Sequence, residues 1–103
     1  MRPAKYCNIK TDGYDSRAEA KRAAELKLML RAGQISNLLE QTPFELIPKD
    51  GKDRAVIYKA DFTYVLPSGE LVVEDVKGVR TPVYNLKKRL MWHIHRIRIR
   101  EVA

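Results

Sequence analysis

Residues 58–78 read YKADFTYVLPSGELVVEDVKG, and their alternation decides the fold. Val56, Tyr58, Ala60, Phe62 and Tyr64 fall on one side of an extended chain, with Lys59, Asp61 and Thr63 on the other, the period of two of a β-strand. Pro67-Ser68-Gly69 supplies turn chemistry, and 70–77 returns as a second strand before Gly78, making a hairpin. In the returning strand Leu71, Val73, Asp75 and Lys77 share a face, and Val72, Glu74 and Val76 share the other.

Outward from the hairpin, Ser16 and Glu19 have capping-box spacing ahead of Ala18, Ala20, Ala23, Ala24, Leu26, Leu28 and Leu30, and Gly33 ends the run. A helix over 16–32 follows. Residues 35–41 and 44–47 are expected to form a strand interrupted near Pro43, and 49–53 a polar turn. Pro82 suits the first turn of a second helix reaching to about Ile94, with Val83, Leu86, Leu90 and Met91 at helical spacing. Beyond it Ile97 and Ile99 alternate with Arg96, Arg98 and Arg100, so a half-buried basic strand is expected. Helix, strands closing in a hairpin, helix and strand together predict an α+β mixed sheet flanked by helices, because a helical crossover after a hairpin returns the chain in the parallel sense. Residues 1–12 carry Arg2, Lys5 and Lys10 among turn-formers and are expected to be a basic, flexible arm.

The chain has 103 residues, the size of one core rather than two, so 1–103 is expected to be a single domain. No run approaches the roughly 20 apolar residues of a membrane span, and Cys7 is the only cysteine, so it cannot form an internal disulfide. Both features point to the cytoplasm and away from a membrane. The net charge is +7, and the excess is uneven. Lys77, Arg80, Lys87, Lys88, Arg89, Arg96, Arg98 and Arg100 face a single acid, Glu101, over the last quarter of the chain. A segment so biased attracts phosphate polyanions, with a merely solvated face as the bland alternative.

Chemistry concentrates in the hairpin. Asp75 and Lys77 are neighbours on one face, and Asp61 on the adjoining strand lies within reach, since paired strands run about 4.8 Å apart. Two hard-oxygen ligands beside an ammonium suit Mg²⁺ or Mn²⁺ and phosphodiester hydrolysis, with Lys77 orienting water or neutralising developing charge. The plainer reading is a cross-strand salt bridge. Glu19 heads the stripe 19, 23, 26, 30, so it either aims a carboxylate at the sheet or only closes the capping box with Ser16. His93 and His95 with Cys7 match no standard zinc spacing. Trp92 reads as a core or interface anchor rather than a base-stacking platform, whereas Tyr14 and Tyr84 are placed to touch DNA.

The hairpin run, together with the S-R-A-E helix start at 16–19 and T-P-V-Y-N-L-K-K-R-L at 81–90, resembles the PD-(D/E)XK nuclease superfamily, and most closely a small phage-borne family allied to Holliday-junction resolvases. The resemblance runs from about Lys5 to Val102 and implies an αβββαβ, restriction-endonuclease-like core. It implies that Asp61 is the first metal-binding aspartate, Asp75-Val76-Lys77 the (D/E)-x-K and Glu19 the first-helix glutamate. It further implies that the Val76 carbonyl joins the metal shell and that Gln41 is an accessory residue. Ala60 stands where the superfamily name has proline, and Glu74 is the second choice to Asp75, which alone has the spacing and face of Lys77.

The activity so implied is a Mg²⁺- or Mn²⁺-dependent endodeoxyribonuclease without a small-molecule cofactor, acting on branched or Holliday-junction DNA in phage recombination or DNA processing. Glu19, Asp61, Asp75 and Lys77 would be catalytic, and Arg80, Lys87, Lys88 and Gln41 would contact the nucleic acid. A homodimer is expected because paired incisions need two sites. The alternatives are a non-catalytic nucleic-acid-binding module using the basic C-terminal segment, and an accessory scaffold that keeps the fold.

Overall fold

A computed structural model describes residues 13, 14, 16–76 and 80–103. The basic arm at 1–12 and the side chain of Lys77 lie outside the described residues. The elements run α1 (Arg17–Arg31), β1 (Ser36–Ile47), β2 (Val56–Val65), β3 (Leu71–Val76), α2 (Pro82–Leu90), a π-helical turn (Met91–His95) and β4 (Arg100–Val102). The strands form one mixed sheet in the order β1-β2-β3-β4, with β3 antiparallel to β2 and parallel to β4. The class is α+β.

Helix α1 starts where Ser16 Oγ accepts the Glu19 N–H. It ends near Gly33, whose φ of 76° belongs to the left-handed region that glycine enters at little cost. Ala23 and Leu26 pack with Ile35, Phe62, Tyr64 and Val72. On the opposite face Leu46, Tyr58, Ala60 and Val73 pack with Tyr84 of α2, Met91 of the π-helical turn and Ile99. Val72 and Val73, adjacent on β3, project to opposite faces, so the two clusters lie on either side of the sheet.

Three expectations change. The break at Pro43 is absent: β1 runs unbroken, with Pro43 opposite Lys59, because β1 is an edge strand and a missing N–H there costs no ladder bond. Of the expected apolar stripe, Leu90 packs partly buried and Met91 fully buried in the core, but Val83 and Leu86 are 62% and 56% exposed, and the residue that α2 buries is Tyr84. The final strand starts only at Arg100, because Arg96, at φ 57°, caps the π-helical turn in the left-handed region.

The alternation of β2 also departs from the simple pattern. Tyr58 and Ala60 belong to the α2-side core, whereas Phe62 and Tyr64 belong to the α1-side core. The same switch occurs in β1 between Leu38 on the α1 side and Phe44 and Leu46 on the α2 side. The register steps from Glu40↔Phe62 to Thr42↔Ala60, and between those rungs stand Gln41, with φ 54°, and Asp61. A left-handed residue rotates the strand that contains it, which accounts for the change of faces in β1, and β2 changes faces beside it without a shift in register.

Candidate functional site

The switch at Gln41 and Asp61 determines where the Asp61 carboxylate goes. Pairing between β2 and β3 covers Phe62↔Glu74 through Val65↔Leu71, and beyond Glu74 a side chain replaces the ladder. Asp61 Oδ2 accepts the Val76 N–H at 2.8 Å. On its other side, Gln41 Nε2 donates to Asp61 Oδ1 at 3.4 Å and to Glu19 Oε2 at 3.2 Å. Glu19, Gln41 and Asp61 therefore form one polar group joining α1, β1 and β2 at the end of the β2–β3 ladder. Of the two readings of Glu19, the cap forms through its backbone N–H, while its carboxylate turns to Gln41.

Asp75 lies one residue before the amide that Asp61 holds. It is 3% exposed, and its Oδ2 accepts the Tyr58 hydroxyl at 2.5 Å. Burial first, then this bond and the charge of Asp75, push the Tyr58 hydroxyl far above its ordinary pKa, with a smaller contribution from the charge of Asp61. Both carboxylates thus act on one phenol. Tyr58 carries no signal beyond its place in an apolar row, so the sequence pattern reads it as core alone; its aromatic body is core, and its hydroxyl belongs to the site.

Glu74 has a different environment. It is fully buried and receives Arg22 Nε at 2.8 Å and Nη2 at 2.7 Å as well as the Tyr64 hydroxyl. Burial pushes its pKa up, but the hydrogen bonds from Arg22 and Tyr64 outweigh burial and leave it below the usual carboxylate range. With both oxygens occupied inside the α1 face, Glu74 is the anchor of an ion pair. Tyr64 to Glu74, Tyr58 to Asp75 and Tyr84 to Glu101 (2.7 Å) make three buried tyrosines that each donate to an acid.

The expected nucleic-acid contacts are distributed differently. Arg80 and Lys88 both bind Glu101, at 2.6 and 3.1 Å, which together with Tyr84 holds the Glu101 pKa down to about 2. Lys87 Nζ donates to the Ile57 carbonyl at 2.8 Å. Lys87 and Lys88 tie α2 to β2 and β4, and Arg80 ties the segment before α2 to β4. His95 lies against Phe44 with Nε2 2.7 Å from the Glu45 carbonyl, tying the π-helical turn to β1. Tyr14 bonds Glu40, and Tyr84 is buried.

Among the described residues no three His, Cys, Asp or Glu side chains converge as a cage for a metal ion. At this end of β3 the Asp61 carboxylate takes the Val76 amide, and Asp75 precedes Val76 in the chain. Hard oxygens of this kind fit a cation such as Mg²⁺, which takes one or two carboxylates and fills its remaining positions with water and substrate phosphate. Among the described residues, no helix is long and apolar enough to cross a membrane.

A family model described as "Protein of unknown function (DUF1064)" matches residues 2–102. Neither the curated proteins nor the solved structures yield a match.

Proposed function

Starting from a chain that belongs to the DUF1064 family, we propose a Mg²⁺- or Mn²⁺-dependent endodeoxyribonuclease of the PD-(D/E)XK kind, selective for branched or Holliday-junction DNA. The observation that carries this reading is the Asp61 carboxylate on the Val76 amide, where β2 and β3 stop pairing, with Asp75 on the adjacent residue. A ladder that ends on a carboxylate puts acidic oxygen at a strand end, where a cation and a phosphate would meet in this reading.

In this reading Asp61, Asp75 and the Val76 carbonyl hold the ion. When bound, the ion acidifies water and stabilises charge on the phosphoryl oxygens. The Tyr58 hydroxyl keeps one Asp75 oxygen aimed, as a partner behind a metal ligand does. Gln41 spaces Glu19 from Asp61 and lessens the repulsion between them. Lys77, assigned by its D-x-K position, neutralises charge on the phosphorane. A homodimer working in the cytoplasm would supply paired incisions.

The test is incubation of matched linear, nicked and four-way-junction DNA with Mn²⁺ or Mg²⁺ and with chelator. Incision that needs the divalent ion, favours the junction and disappears in Asp61→Asn and Asp75→Asn is expected, with DNA binding retained. Incision unaffected by either substitution would reject the assignment. The second reading, a binding module without catalysis, rests on the cationic surface alone and predicts binding but no incision in any metal.

A further inference from the structure

Separate from the carboxylate group, Asn85, Lys88 and Arg89 of α2, Trp92 and His93 of the π-helical turn, and Arg98 beyond it line a cavity of about 420 Å³. This is the size of pockets that take small organic ligands. The Arg98 guanidinium lies over the Trp92 indole, its Cζ 3.9 Å from the ring centroid, and the Arg96 Cζ is 5.4 Å away. Lys88 is matched by Glu101, but Arg89, Arg96 and Arg98 have no carboxylate partner among the described residues. A guanidinium held by stacking has already given up much of its rotamer freedom and keeps its N–H edge for an acceptor.

We infer that this pocket holds an unpaired nucleotide of a DNA strand, with its phosphate against Arg89 and Arg98 and its base against the Trp92–Arg98 stack. The cations select phosphate, and flat aromatic and guanidinium surfaces select an exposed base. Asn85 offers a donor and an acceptor to the base edge. A duplex keeps its bases stacked inside and can present only its backbone to such a concavity, so the pocket favours single-stranded over paired DNA. The inference rests on DNA being the substrate, and not on the catalytic roles of Asp61 and Asp75.

Trp92 is the only tryptophan, so its emission reports on this pocket. The experiment titrates the full chain, in chelator so that no cleavage occurs, with a single-stranded oligodeoxynucleotide, its duplex, inorganic phosphate and polyglutamate. The single strand should quench Trp92 at a concentration about tenfold below the duplex, a ratio in the range of one stacked base, with phosphate and polyglutamate far weaker. In anisotropy measurements with a labelled strand, Arg89→Ala with Arg98→Ala should reduce the log–log salt slope by about 0.7, the value for one single-strand phosphate no longer neutralised. Lys49→Ala with Lys52→Ala should leave the slope unchanged. Trp92→Ala should weaken binding and Trp92→Phe restore most of it, with circular dichroism confirming that each variant is folded. Equal quenching by duplex or polyglutamate, or an unchanged slope in the arginine double variant, would overturn the inference. Absence of metal-dependent incision alongside an intact Trp92 response would instead reject only the catalytic reading.

Discussion

Gln41 occupies backbone space that side chains other than glycine's rarely enter, at φ 54°, and a residue held there costs of order 1–3 kcal/mol. Its amide spans two carboxylates, so the strain is exchanged for the position of Asp61. Gln41→Gly should therefore keep or raise the urea midpoint while lowering metal-dependent incision. If the midpoint falls with activity, the residue is only structural. Arg22→Ala should behave in the opposite way. It leaves Glu74 buried without its guanidinium, at a cost of about 3–5 kcal/mol measurable by urea unfolding, and replacing both partners with methionine should recover much of the loss.

At the scale of elements, the hairpin and α1 are legible because their signals are local: Pro67 and Gly69 in the turn, β-branched and aromatic alternation, and Ser16 and Gly33 at the helix ends. Conformation without a compositional mark is not legible. A left-handed glutamine or arginine looks like any other, so neither the change of faces at Gln41 and Asp61 nor the cap at Arg96 shows in the sequence. The burial of α2 escapes for a related reason. Tyr84 can be buried because Glu101 takes its hydroxyl, while the simpler hydrophobes Val83 and Leu86 stay outside. Leu86→Lys should accordingly shift stability by less than about 0.5 kcal/mol, and Met91→Ala should cost about 2–5 kcal/mol. The candidate site is legible as a pair of aspartates on neighbouring strands. The burial of Glu74 rests on Arg22, 52 positions from it in the chain, a pairing which no spacing rule can find.

For the molecule as a whole, charge is sorted more finely than the composition suggests. Arg80, Lys87 and Lys88 are engaged within the fold, whereas Arg89 and Arg98 line the pocket with Trp92 and Arg96 lies over its ring. Acid stability follows from the carboxylates that are held down. Glu101, lowered to about 2 from 4.5, and Glu74, also lowered, stabilise the fold fully above the ordinary carboxylate range. That contribution is lost as pH falls through their folded-state values. Thermal melts should hold level down to about pH 4.5 and then decline, and Glu101→Gln should flatten the decline.

The three phenols at positions 58, 64 and 84 have their folded-state pKa raised, burial being the largest cause in each. Their share of stability is therefore whole below pH 10 and drains away in alkali. The phenolate absorbance that these three of the chain's five tyrosines contribute should rise in one concerted step as the globule opens in a base titration, so that these rings serve as a built-in optical gauge of cooperativity requiring no label.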